Sequence, residues 1–191
     1  MAKDNKLFRS QARSKAKFGS ALEKVDMPDQ AFCEVPILWI EKSQVISLLA
    51  FLKDEPDFEY CFLADMTATD EMPRQPRFDV IYNLFSHKSL ARIRVKTRVS
   101  ETESLPTAIS VWEGANWAER EIWDMFGIRF SGHPNLKRVL MDNRWDGHPL
   151  RKDYPLRRYQ IFSMPQEIDL QELESRGGLD QGGGNHAKRD S

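Results

Sequence analysis

At 191 residues, with 28 Lys and Arg against 29 Asp and Glu, the chain has one domain's length plus tails and lacks the net charge that marks polyelectrolyte binders of nucleic acid or anionic lipid. Apolar residues make up 40% and charged residues 30%, enough for a core beneath a densely charged surface. The longest apolar run, Val35 to Ile40, falls far short of the roughly 20 residues of a membrane-spanning helix, so any membrane link is expected to pass through a partner.

Residues 1–30 read as a basic mobile arm, compatible with a bacterial arm or an organellar transit-like segment. Cys33 and Cys61 have no Cys-x-x-Cys spacing and read as buried free thiols of a reducing compartment. Two thiols are also too few for the usual iron–sulfur cluster or thiolate zinc site held by one chain.

Residues 31–130 carry the periodicities of an α+β domain with a mixed or antiparallel sheet and flanking helices. Phe32 to Ile40 reads as a strand. Ser43 is placed to cap a helix in which Val45, Ile46, Leu48, Leu49 and Leu52 form an apolar stripe, and Pro56 closes it. Phe58 to Met66 reads as a buried aromatic strand, with a polar turn over residues 67–76. "RFDVIYNLF" and "SLARIRVKTRV" then alternate with period two across a short link, which predicts a hairpin. In its second strand Ala91, Ile93, Val95, Thr97 and Val99 face one way and Arg92, Arg94, Lys96 and Arg98 the other. That basic row reads as a solvated face that blocks edge aggregation, or as a surface for an acidic protein. It lacks the interleaved aromatics of a single-strand nucleic-acid platform.

Asn116 and Glu119 stand at capping-box spacing, and Gly127 is a C-terminal stop, so a helix is expected between them. Ala118, Ile122, Trp123 and Phe126 are its inward face, and Arg120 and Asp124 are spaced for an i, i+4 ion pair. Residues 131–165 follow as an extended segment. Pro134, Pro149 and Pro155 oppose regular structure there, while Leu136, Val139, Leu140, Trp145 and Leu150 are too apolar for a free linker, so the segment should lie against a surface. Residues 166–191 read as a flexible acidic, then Gly-rich, tail.

No motif makes a convincing active site. His133 and His148 each occur as Gly-His-Pro, near Asp142, Asp146 and Asp153, but the gap between them fixes no metal geometry, and each reads as a turn imidazole bonded to backbone or carboxylate. Glu119 and Glu121 point to opposite sides of a helix; Glu121 and Asp124 could lie side by side. Nucleophile elbows, phosphate-cradling loops and dinucleotide fingerprints are missing. Dense charged, aromatic and turn residues without a pocket signature point to protein–protein contact.

One run is specific. "EREIWDMFGIRFSGHPNLKRVL" resembles the signature of the C-type subunit of NADH–quinone oxidoreductase, the 30 kDa subunit family of respiratory complex I. Glu119, Arg120, Glu121, Asp124, Met125, Phe126, His133, Lys137, Val139 and Leu140 meet every defined position of that pattern. The continuation, with Trp145, His148, Pro149, Arg151, Asp153, Tyr154 and Pro155, is also similar to the family. Resemblance is strong over residues 77–156 and looser over 35–70.

The resemblance implies a structural subunit of the peripheral arm with no catalytic, cofactor or metal site of its own. It implies that FMN, iron–sulfur clusters and quinone sit in partner subunits, and that the neighbours are counterparts of the D-, B- and I-type subunits of complex I. It further implies a place at the cytoplasmic face of the bacterial inner membrane, or the matrix side if the arm is transit-like, and a C-terminal extension wrapped on those partners. Residues 118–134 would then connect domain to extension, with Arg120 held by acidic neighbours. An equivalent subunit of an energy-converting hydrogenase, or of a related complex with another electron donor, is the alternative.

Overall fold

The computed structural model describes residues 13–26, 35–157 and 160. Residues 13–18 are helical (α1). Five strands form one sheet: β1 (Leu22–Asp26), β2 (Ile37–Ile40), β3 (Phe62–Asp70), β4 (Phe78–Ser86) and β5 (Ala91–Val99), in the spatial order β1-β2-β5-β4-β3. The β2–β5 pair is parallel and the other three pairs are antiparallel, so the sheet is mixed and the architecture is α+β. Between β2 and β3 the chain makes a 3₁₀ turn (Lys42–Gln44) and helix α2 (Val45–Asp54). After β5 come β6 (Ser104–Pro106), α3 (Ala115–Phe126) and β7 (Arg129–Ser131), with β6 and β7 pairing in parallel as a small second sheet.

Period-two alternation decides which face of the large sheet is inside. Phe78, Val80, Tyr82 and Leu84 of β4 and Ile93, Val95 and Val99 of β5 pack in one apolar core with Val45, Leu48, Leu49 and Leu52 of α2 and Ala115, Ile122 and Phe126 of α3. The helices therefore lie on one face. Ile81 and Trp39, on the opposite face, are buried yet stand outside that core. The β4–β5 hairpin has the expected alternation.

Several local expectations are corrected. The β2 strand starts at Ile37, and residues 31–34, with Cys33, lie outside the described residues. Ser43 sits inside the 3₁₀ turn and makes no cap; Gln44 precedes α2 without a side-chain cap. The aromatic strand begins at Phe62, its first half is largely exposed, and Phe58 and Tyr60 are buried ahead of it. Thr67 to Asp70 continue that strand, because their backbone pairs in register with β4 up to Asp70 opposite Phe78. Cys61 is exposed, 3.5 Å from His87 Nδ1. Within the stretch assigned to the arm, Leu22–Asp26 pairs with β2. The basic row of β5 lies on the central strand, so its charges guard no edge.

Candidate functional site: the junction of helix and extension

Helix α3 ends where Gly127, at φ +79°, donates its N–H to the Trp123 carbonyl. A left-handed residue is needed there, and the absent side chain matters as much as the dihedral: a Cβ would stand 2.5 Å from Arg151 Nη2 and 2.6 Å from the His148 ring. The chain after β7 doubles back across this end. Leu150 N–H reaches the Met125 carbonyl at 3.0 Å, and Arg151 Nε donates to the Phe126 carbonyl at 2.6 Å. The last carbonyls of α3, which a helix leaves without intrahelical donors, are thus satisfied by residues 148–151.

Asp124 organises the junction. Its side chain is wholly buried, and Oδ2 accepts three consecutive backbone N–H groups, from Val139 at 3.0 Å, Leu140 at 2.9 Å and Met141 at 2.9 Å. Oδ1 pairs with Arg138, whose guanidinium also donates to the Trp145 and Gly147 carbonyls at 2.8 and 3.0 Å. His148 Nδ1 lies 3.0 Å from the Asp124 carbonyl oxygen and its ring packs edge-on to Trp123, over which Arg138 also sits. Burial pushes the Asp124 carboxyl up, but the N–H donors and Arg138 together outweigh it and hold its pKa below the ordinary value. Burial draws the His148 imidazole below its ordinary pKa.

A second acid–base cluster pins the far end of the extension. Arg77, buried just before β4, makes a bidentate pair with Asp70 at the end of β3, at 3.0 and 2.7 Å. It also holds Asp153 at 3.1 and 2.6 Å and Glu101 at 3.3 Å, while Asp70 accepts the Lys152 N–H at 2.8 Å. Arg151 completes the ring by pairing with Glu101 at 2.5 Å. The Arg77 hydrogen bonds hold the Asp70 carboxyl far below the carboxylate range, and Asp70 and then Asp153 raise the guanidinium.

The signature residues divide by role. Glu119 makes no capping box, since Gly114 precedes the helix; its carboxylate is buried and accepts the Thr107 hydroxyl at 2.7 Å and the Ala108 N–H at 2.6 Å, with burial raising its pKa. Arg120 forms no pair with Asp124 and is held by no acid among the described residues. It donates instead to the Lys137 and Arg138 carbonyls at 3.1 and 3.3 Å and stacks over Trp117 at 4.8 Å. Glu121 is exposed, away from buried Asp124. Met125 and Phe126 are buried, whereas Trp123 is only half-buried.

His133 reads as expected of a turn imidazole: Nδ1 accepts the Asn135 N–H at 3.0 Å and Nε2 lies 3.3 Å from the Asn116 carbonyl oxygen. Trp145 stacks on Tyr154, Pro149 is half-buried, and Lys137 and Pro155 are exposed. Among the described residues no three His, Cys, Asp or Glu side chains gather at metal-binding distance, and no helix is long and apolar enough to cross a membrane. Sequence reasoning missed Asp70, Arg77, Glu101 and Arg138. Arg138 fills a free position of the signature, and partners 76 residues apart, such as Arg77 and Asp153, leave no local signal.

Hydrogen bonds and ion pairs thus tie residues 138–153 to α3 and to the end of β3. The folded-back chain presents apolar side chains outward, with Leu140 59% exposed, Leu150 54% and Leu156 fully, beside Trp117 of α3 at 63%.

Residues 38–160 match the family described as "Respiratory-chain NADH dehydrogenase, 30 Kd subunit". The chain is 41% identical over 143 residues to a Rhizobium meliloti protein named as the second C-type subunit of NADH-quinone oxidoreductase, covering 75% of this chain and 76% of that one. It is 40% identical over 126 residues to the protein of the same name in Rhizobium etli, covering 66% and 67%. It is also 42% identical over 151 residues to a Methylococcus capsulatus protein named as the C/D subunit of NADH-quinone oxidoreductase, covering 74% of this chain and 26% of that longer one.

Proposed function

Because this chain belongs to the 30 kDa subunit family of respiratory-chain NADH dehydrogenase, we propose that it is a structural and assembly subunit of the enzyme's peripheral arm. It supports electron transfer from NADH to quinone, coupled to ion translocation, without carrying a redox step itself. The observation that supports this most is the locked extension. A segment with almost no regular structure is fixed by buried charge at both ends, and the fixed segment turns Leu140, Leu150 and Leu156 away from its own core. Rigid apolar side chains on an already ordered backbone favour a partner that is bound for long.

The C/D protein of Methylococcus supports the D-type counterpart as one partner, since joining the two in one chain places them at high effective concentration. The B- and I-type counterparts are the other neighbours in this reading. FMN, the clusters and quinone then reside in partners, and attachment to the cytoplasmic face of the inner membrane is indirect. The extension comprises residues 131–165 and residues 166–191 are a tail, whereas of the expected arm Leu22–Asp26 belongs to the sheet. The three relatives named above are all NADH–quinone oxidoreductase subunits, and none favours a hydrogenase.

The test is affinity purification of the tagged full chain from detergent-solubilised native membranes, with mass spectrometry of its companions and an inhibitor-sensitive NADH–quinone assay. The wild-type chain should bring flavin- and cluster-bearing subunits with activity. A Leu140→Asp/Leu150→Asp chain, folded by circular dichroism, should bring at least ten-fold less. Equal recovery would refute a role for the extension, and a lone chain without companions would refute the whole reading.

A further inference from the structure

The helices leave the second face of the large sheet open among the described residues, and that face is not neutral. Along the central strand, Arg92, Arg94, Lys96 and Arg98 stand in one row. Arg98 is partly neutralised by Glu23 at 3.5 Å and Asp79 at 4.0 Å, but Arg92, Arg94 and Lys96 form no ion pair with any described carboxylate. These three are nonetheless ordered. Arg94 Nε donates to Asn83 Oδ1 at 2.8 Å, Arg92 lies over the Phe85 ring at 5.8 Å, and Lys96 lies over Trp39 at 5.1 Å. Lys96 stands opposite Ile81 in the β4–β5 register, and Arg98 also lies over the Trp39 ring, at 4.6 Å. Cations held in place by aromatic and amide neighbours have already lost part of the rotamer freedom that a salt bridge would otherwise cost them.

The row ends in a groove of about 540 Å³ between β3, β4 and β5, lined by Phe62, Asn83, Phe85, His87, Arg92 and Arg94. Phe62 is 50% exposed there. Asp65 also lines the groove, so the wall is mixed, with two guanidinium groups against one carboxylate. Aromatic walls beside unpaired, pre-positioned cations match a ligand that brings both carboxylates and an apolar side chain. Nucleic acid fits less well, because Phe62 and Phe85 are edge-on neighbours of His87 and Phe85 lies under Arg92, so they do not form an open stack.

We infer that this open sheet face is a second partner-binding surface, separate from the extension. It takes an acidic protein segment whose carboxylates meet Arg92, Arg94 and Lys96 and whose apolar side chain enters the groove at Phe62 and Phe85. The inference rests on the reading that the chain works inside a complex, and it predicts a salt-sensitive contact, since pairing between solvent-exposed charges weakens as ionic strength rises.

The test uses the assembled complex. The tagged full chain carries Phe62→p-benzoylphenylalanine, and its photo-adducts are sequenced by mass spectrometry after purification with its companions. An adduct to a companion-subunit peptide with two or more Asp or Glu within about six residues supports the inference. So does an at least ten-fold lower recovery of that companion for Arg92→Glu/Arg94→Glu, with Arg92→Lys/Arg94→Lys near wild type. Adducts only to lipid, nucleic acid or a non-acidic peptide, or no adduct in a complete complex, would overturn it while leaving the role of the extension intact. A chain purified without companions would overturn both.

Discussion

Replacing Asp124 by Asn is the sharpest perturbation of the junction, because the side chain keeps its shape and loses its charge. In the wild type, Oδ2 accepts three N–H groups and Oδ1 pairs with Arg138, with the carboxylate wholly buried and the guanidinium side chain 10% exposed. An amide can keep its oxygen on Val139, Leu140 and Met141, but its nitrogen then faces the Arg138 donors. Uncompensated burial of one member of such a pair costs about 3–5 kcal/mol. Arg138 still has the carbonyls of Asp124, Trp145 and Gly147, which lowers the expected loss to about 3 kcal/mol.

Urea unfolding of the full chain at pH 7, followed by circular dichroism, measures it, and limited proteolysis between residues 132 and 150 should quicken in step. The sign with pH follows from the depressed carboxyl. Its stabilisation is complete above the unfolded value of about 3.9 and is lost as pH falls through the lower folded pKa. The wild-type advantage over Asp124→Asn should therefore shrink in acid. A loss under about 1 kcal/mol at pH 7, with unchanged proteolysis, would refute the view that this carboxylate organises the extension.

Gly127→Ala should cost about 3 kcal/mol, about 1 from the left-handed backbone and the rest from contact with His148, and should lower Tm measurably. The flexible end of Arg151 can yield to the new methyl; the His148 ring, fixed by the Asp124 carbonyl and Trp123, cannot. Glu119→Gln should fall within about 1 kcal/mol of wild type at pH 7, since Thr107 and Ala108 can bond an amide, whereas Glu119→Ala should lose about 3 kcal/mol. Because the folded Glu119 pKa is raised, wild-type stability should decline as pH climbs from the unfolded value of about 4.3 through the folded one, and denaturant titrations of Glu119→Gln should lack that slope. Arg120→Ala frees the carbonyls of Lys137 and Arg138 and should reduce recovery of the assembled complex several-fold, without changing the apparent quinone affinity of what assembles; unchanged recovery would dismiss its role.

Much of the fold was readable because period and punctuation are local. The β4–β5 hairpin announced itself by strict alternation, α2 by its leucine stripe and the end of α3 by Gly127. Errors arose where a short-range rule competed with burial. Glu119 has capping-box spacing, yet Thr107 and Ala108 draw its carboxylate inward. Arg120 and Asp124 have ion-pair spacing, yet Asp124 lies inside and meets a loop that supplies an arginine and three N–H groups at once. Thr67 to Asp70 look like a turn by composition and are strand by pairing with β4. The Asp70–Arg77–Asp153 cluster could be seen only once the chain was folded.

The three amides that converge on Asp124 belong to a segment without helix or strand, yet their acceptor is as buried as any group in α3. Releasing them to solvent strips that buried carboxylate of three donors at once, a cost that couples their opening to the end of the helix. In hydrogen exchange, Val139, Leu140 and Met141 should accordingly keep the pace of the helix and not that of the surrounding loop, so that an irregular strip of chain and the last turn of α3 open and close as one cooperative unit.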